Sequence, residues 1–291
     1  MSASELSEIS VIRRLYILIR AVLRFLMFVT IVNCYFATAI LATLITLNPI
    51  KRRARLVKNC QFYSKLILKA FNIELTINQI IPEDEVSLVV GNHLGFIDIV
   101  CLQSVCPSVF ITSLEMKNTP GLGQITDLAG CAYVNRKNRM NIQEELKGIT
   151  NVLGVGHRVV LYAESVASNG EQVLPFKKTL LMSAGFAKKP IRPFVFNYRQ
   201  VNHGPVFFEH RDSVCWYGDQ TFFPAIWRSL QLDSVTCEIE FLPLVYPTVE
   251  TDRTELSKSL QQQVASKFYP FYIGMNNESA LRQPVTQSQL M

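Results

Sequence analysis

Apolar residues fall along this chain in two regimes. From Phe25 to Leu47 there are 23 consecutive residues without a charge, enough helix to cross a hydrocarbon layer of ~30 Å. Residues 51–71 change character. Leu56, Cys60, Tyr63, Leu66, Ile67 and Ala70 fall on one face at helical spacing, with basic residues on the other. Beyond residue 80 the apolar runs become short. They predict strands at Val86–Val90, Val109–Thr112, Cys131–Val134, Val159–Ala163, Phe194–Tyr198 and Glu238–Leu242. Helical patterns occupy Ile97–Ser104, Asn141–Leu153 and Lys177–Ala187, and a last one over Glu255–Phe268 stops before Pro270. Strands alternating with helices predict an α/β fold, a central mostly parallel or mixed sheet flanked by helices. The predicted division is a membrane anchor over 1–50, an α/β domain over 51–275 and a polar tail over 276–291, with residues 1–10 disordered.

Composition sharpens the first regime. The chain is 49% hydrophobic and only 18% charged, more apolar than an ordinary soluble domain. Arg13, Arg14, Arg20 and Arg24 precede the uncharged run, and Lys51, Arg52, Arg53, Arg55 and Lys58 follow it. Basic flanks on both sides give the positive-inside rule no direction. They suit a helical hairpin dipping into one leaflet as well as a single span, with the basic side chains snorkelling to anionic head groups. Ala37-Thr38-Ala39 imitates a signal-peptide cleavage site, but the run is longer than an h-region of about 7–15 residues and continues past it. Seven cysteines without a C-x-x-C pair suggest neither a disulfide framework nor a zinc site. Reduced thiols in a domain facing the cytoplasm are the expectation. The net charge of +6 is spread along the chain. It fits an anionic membrane surface or a phosphorylated substrate, and no nucleic-acid-binding motif accompanies it. Nothing in the sequence signals an oligomeric state.

Candidate chemistry begins at Asn92-His93-Leu94-Gly95-Phe96-Ile97-Asp98. On a continuous helix, residues five apart point about 140° away from each other. A strand that stops at His93, turns through Gly95 and starts a helix near Asp98 brings imidazole and carboxylate together. The location is the carboxyl end of a buried strand, where open α/β sheets place their chemistry. The alternative is a hydrogen-bonded loop histidine beside an aspartate that only caps a helix. Gly130 and Tyr133-Val134-Asn135-Arg136 put a guanidinium at another strand end, suited to a phosphate or carboxylate. Tyr162-Ala163-Glu164 runs into Ser165-Val166-Ala167-Ser168-Asn169-Gly170. There Glu164 could orient a donor, and Ser165, Ser168 and main-chain N–H groups could hold an oxygen; a plain turn explains the same residues. Pro190-Ile191-Arg192-Pro193 leads to Phe194-Val195-Phe196, an apolar wall for a lipid chain or a strand started by proline. Cys215-Trp216-Tyr217-Gly218-Asp219 is distinctive but reads as a packing turn without a chemical role.

In order and spacing, His93 to Phe196 resembles the glycerolipid acyltransferase family typified by 1-acylglycerol-3-phosphate acyltransferase. The first signature of that family, N-H-x-x-x-x-D, is complete as Asn92, His93 and Asp98. Ser113-Leu114-Glu115-Met116 and Pro120-Gly121-Leu122-Gly123 look like its connecting segment. Gly130 and Arg136 match its second signature, Tyr162 to Gly170 stand where F-P-E-G-T-R-S-x-G is usual, and Pro193 fits the fourth. The resemblance implies that His93 takes the proton of a lysolipid hydroxyl as it attacks an acyl thioester, with Asp98 fixing the imidazole. It implies oxyanion donors near the Gly170 or Gly95 turns, and Arg136 on an acceptor phosphate. The donor would be acyl-CoA or acyl carrier protein, with no cofactor and no metal. Ser165, Val166 and Ala167 replace the usual glycine, threonine and arginine, removing a positive charge from the expected phosphate cradle. Arg136 or the Lys177-Lys178 pair could make up the charge; without that, the expected acceptor lacks a free phosphomonoester, as a lysophospholipid or a lyso-ornithine-type lipid does. Two other readings compete with O-acyl transfer. A thioester or lipid hydrolase would use the same dyad on water, although no G-x-S-x-G elbow occurs. A lipid-binding protein that lost catalysis is the other.

Overall fold

The structure, a computed structural model, describes residues 3–135 and 142–271. Arg136 and the predicted tail therefore lie outside the described residues. In chain order the elements are α1 (Ala3–Ile45), α2 (Pro49–Phe71), β1 (Ile73–Ile77), β2 (Leu88–Gly91), α3 (Phe96–Val105) and β3 (Val109–Ser113). Then come α4 (Leu114–Lys117), α5 (Leu122–Leu128), β4 (Ala132–Val134), α6 (Ile142–Gly154), β5 (Val159–Tyr162) and α7 (Met182–Phe186). The chain continues with β6 (Ile191–Val201), α8 (Arg211–Val214), α9 (Phe222–Gln231), β7 (Val235–Phe241) and α10 (Arg253–Ala265). The strands form one seven-stranded sheet in the order β1-β7-β6-β2-β5-β3-β4. Every neighbouring pair is parallel except β6 with β7.

The two central strands explain their own position. Leu88, Val89, Val90, Val159 and Val160 are fully buried, as continuous apolar strands covered on both faces must be. Side chains alternate across the sheet. Val89, Val160 and Phe194 pack on one face with Phe71, Leu94 and Ile97, and Leu88, Val90 and Val159 on the other with Leu153, Leu181 and Leu260.

Four expectations need correction. Residues 3–10 begin α1 and are helical. β1 was not predicted; it closes the edge beside β7. Only Met182–Phe186 of the Lys177–Ala187 pattern is helix. Pro193 lies inside β6, whose first residue is Ile191, instead of starting the strand. The long apolar N-terminal segment is one uninterrupted helix, and the chain turns back at 46–48 into α2. Asn48 caps α2 by accepting Ile50 N–H and Lys51 N–H, both at 3.0 Å, and Pro49 takes the first helical position.

Arg20 and Arg24 do not snorkel. Arg20 pairs with Asp233 and donates to the Gln231 carbonyl at 2.9 Å, while Arg24 donates to the carbonyls of Leu230, Leu232 and Asp233. The last carbonyls of α9 have no partner inside their own helix, and these guanidinium groups supply donors and charge at that negative end.

Candidate active site

The site is assembled where β2 and β5 end side by side. Gly91 lies opposite Tyr162 on β5 and Phe194 on β6. A Cβ on Gly91 would come 2.5 Å from the Phe194 carbonyl oxygen, so only glycine fits. Asn92, almost completely buried, spends both ends of its amide on one residue of β6. It donates to the Phe196 carbonyl at 2.9 Å and accepts Phe196 N–H at 2.8 Å.

The chain then leaves the sheet at His93, whose backbone is held at both ends. Its N–H donates to Glu164 Oε2 at 3.2 Å and its carbonyl accepts Ser168 N–H at 2.8 Å. The imidazole Nδ1 stands 3.0 and 3.1 Å from the two oxygens of Asp98, and the ring stacks on Tyr162 at 4.0 Å between centroids. Asp98 is fully buried in the first turn of α3, where it also accepts N–H from Leu94 and, at 2.9 Å, from Gly95. Helix cap and imidazole partner, alternatives in the sequence, are one geometry. A carboxylate on Nδ1 selects the tautomer with its proton there and leaves Nε2 as the base.

One consequence corrects an expectation. The Leu94 and Gly95 N–H groups at the turn are spent on Asp98, so the Gly95 turn does not supply them to an oxyanion. The Gly170 turn is packed against Phe271. Its φ of +85° excludes a side chain, whose Cβ would meet the Phe271 ring at 2.9 Å, and its carbonyl accepts Phe271 N–H at 3.0 Å.

His93 opens onto a cavity of about 280 Å³. Its walls are apolar: Phe28, Ile31 and Tyr35 of α1, Ile67 and Phe71 of α2, Phe96 and Ile99 of α3, Phe110 of β3, Ile125 of α5, and Trp216 and Phe222 beyond β6. Tyr162 forms part of the wall beside the imidazole. Burial and the neighbouring Asp98 charge hold its phenol pKa well above the ordinary value. Pro193, Phe194, Val195 and Phe196 are absent from this wall, which corrects the reading of that stretch as a lining for a lipid chain. Asn135 donates its N–H to Glu145 at the end of the edge strand β4, apart from the dyad.

Sequence similarity agrees with this geometry. The model of the Acyltransferase family matches residues 72–197, which hold the dyad, the Tyr162–Gly170 segment and the strands β2, β3 and β5. These residues match the Acyltransferase family. The chain is 28% identical over 221 residues to a lyso-ornithine lipid O-acyltransferase of Brucella abortus, covering 73% of this chain and 82% of that protein. It is 27% identical over 199 residues to a 1-acyl-sn-glycerol-3-phosphate acyltransferase of Neisseria meningitidis, covering 68% and 76%. Its fold superimposes on the crystal structure of the 1-acyl-sn-glycerophosphate acyltransferase of Thermotoga maritima with a TM-score of 0.62 at 19% identity, covering 86% and 95%.

Within the acyltransferase segment, the third motif holds a left-handed residue. Ser165, where the family has glycine, holds φ at +66°. A side chain in that left-handed region costs about 1–2 kcal/mol. Ser165→Gly is therefore expected to raise stability by about 1 kcal/mol, or ~2–4 °C in Tm, measured by thermal unfolding; a lower Tm would contradict it.

Glu164 acts as a brace behind His93. Its second oxygen accepts Leu174 N–H at 3.0 Å. Burial pushes its pKa from 4.5 up to about 8, against the lowering effect of the Leu174 and His93 N–H groups. Between those values the folded chain keeps a proton that the unfolded chain has released. Stability is therefore expected to fall as pH rises from about 4.5 to 8, by up to about 1.4 kcal/mol per pH unit. Denaturant melts of Glu164→Gln should lose this slope, and parallel slopes for the two proteins would refute it.

Ser168, by contrast, keeps its hydroxyl without a hydrogen-bond partner although buried. Its N–H is already used by the His93 carbonyl. The lining supplied by α1, Trp216 and Phe222 had no signal in the sequence beyond apolar character, because those residues lie far along the chain from the motifs.

Proposed function

We propose that this protein is a membrane-seated lysolipid O-acyltransferase. The observation that carries the reading is a carboxylate-oriented imidazole opening into an apolar cavity large enough for part of an acyl chain. The acyl group of a thioester, from acyl-CoA or acyl carrier protein, lies in the cavity with its carbonyl at His93. The acceptor hydroxyl oxygen attacks the carbonyl carbon while Nε2 takes its proton. The tetrahedral intermediate expels the thiolate, and the imidazolium, stabilised by Asp98, returns the proton to it. Substrate supplies the nucleophile, so no acyl-enzyme forms.

The acceptor lacks a free phosphomonoester. Ala167 stands where the family has arginine, and charge-assisted bonds contribute ~1.5–3 kcal/mol each. Lys178 does not replace it, since its ammonium turns to Thr254 at 3.0 Å. A lysophospholipid or a lyso-aminolipid fits, with Arg136 on a phosphate where the acceptor has one. The activity named for the Brucella abortus relative is of this class.

The seat is the outer face of α1. Positions 20, 24, 28, 31, 35 and 39 run down one side against the rest of the protein. Leu15, Ile19, Leu23, Leu26, Met27, Leu41 and Leu44 are exposed on the other. A helix flanked by protein for more than five turns is suited to lying in one leaflet beside its domain, with the cavity close to the lipid. The seven unpaired cysteines suit a cytoplasmic face.

The test is acyl transfer by purified, detergent-solubilised full chain. Labelled acyl-CoA and acyl carrier protein are offered with a panel of lysolipids. Transfer to a lysophospholipid or lyso-aminolipid is the expected result. Faster acylation of lysophosphatidate would overturn the acceptor class. Release of free fatty acid would establish a hydrolase, and lipid binding without turnover a non-catalytic protein.

A further inference from the structure

The stretch between β6 and β7, residues 202–234, lies beyond the matched family segment yet reaches back to the catalytic turn. Trp216 N–H donates to the Leu94 carbonyl at 2.9 Å. A Cβ on Gly95, the residue after Leu94, would come 2.6 Å from that same nitrogen, and φ at Gly95 is +150°. The turn beside His93 therefore leaves room for this main chain and no more. The half-buried indole packs against Phe222 at 5.1 Å between centroids, and Phe222 against Phe96 of α3 at 6.0 Å. The indole N–H is satisfied within its own loop by the Gln220 carbonyl at 2.7 Å. Trp216 and His93 line the same cavity. At its far end α9 is held to α1 by Arg20 and Arg24, so this wall is anchored at both ends.

We infer that Trp216 is a specificity-determining residue whose indole closes the histidine end of the apolar cavity and sets how the acyl group lies against His93. This rests on the acyl-transfer reading above. Two features separate it from a merely structural role. The bond to Leu94 comes from the main chain, so it survives any substitution at 216 except proline, and the catalytic turn keeps that support. The indole N–H bonds only to its own loop, so its surface toward the cavity is apolar and free for a chain.

The experiment compares Trp216→Ala and Trp216→Phe with wild type across saturated acyl donors of increasing length. Opening the wall in Trp216→Ala is expected to raise kcat/KM for a donor two carbons longer, relative to the wild-type optimum, by roughly fifteen-fold, the partition value of two buried methylenes. Trp216→Phe keeps an aromatic wall but loses the indole bond, and its chain-length profile should stay within about twofold of wild type. An equal loss in kcat/KM for every donor in both variants would mean that the indole only folds its loop, and the inference would fall. A second readout does not need turnover. The chain has two tryptophans, so Trp227→Phe leaves Trp216 as the only emitter. Its fluorescence is expected to change saturably with palmitate and not with butyrate. An unchanged signal would overturn the inference even in an active enzyme. A changed signal without transfer would instead count against the proposed function.

Discussion

His93→Ala is expected to lower kcat for acyl transfer by about a hundred- to ten-thousandfold, the usual contribution of a positioned general base. The fold should survive. Asp98 keeps the Leu94 and Gly95 N–H groups as partners when the imidazole is removed, so no buried carboxylate is left unpaired. The apolar walls are untouched, so KM for the acyl donor should change little, because the lost interaction belongs to the transition state. Initial rates with the preferred lysolipid, alongside a thermal melt, check both parts. Activity near wild type in a folded variant would remove His93 from the mechanism.

Asp98→Asn should be as damaging for a different reason. The carboxylate accepts from His93 Nδ1, Leu94 N–H and Gly95 N–H together. An amide can keep its oxygen toward the two main-chain groups only by turning its NH2 toward Nδ1. The imidazole then accepts there and carries its proton on Nε2, where it cannot act as a base. A kcat loss on the order of 10⁴ is expected, the value for a wrong tautomer in a related triad. Stability should fall as well, by ~1.5–3 kcal/mol for each charge-assisted bond weakened. Rates and denaturant melts on one preparation separate the two effects. Lost stability with intact kcat would assign Asp98 to capping alone.

How much was legible in the sequence follows from the range of the interactions involved. His93 and Asp98 are five residues apart, and the apolar run before them and the glycine between them dictate a strand, a turn and a helix. Local chemistry was sufficient. The fully buried strands were legible too, because runs such as Leu88-Val89-Val90 admit few alternatives. Ile73–Ile77 alternates apolar and polar residues as a strand should. It was missed because it follows α2 after a single residue, Asn72, whose left-handed backbone (φ 54°) ends the helix abruptly.

The sequence by itself determined the long apolar helix, the α/β alternation and the dyad, each of which rests on patterns within single elements or between neighbours in sequence. Only the tertiary structure decided where each side chain spends its hydrogen bonds. Arg20 and Arg24, basic flanks in the sequence, cap a helix some two hundred residues away. The Gly95 turn, read as a source of oxyanion donors, gives its N–H groups to Asp98. Asn92 braces β6, and Trp216, a packing turn in the sequence, lines the same cavity as His93. In each case the residue type limits what a group can bond, and the partner is selected by sheet order and helix packing. Those distances are set by burial across the whole chain, which no local pattern encodes.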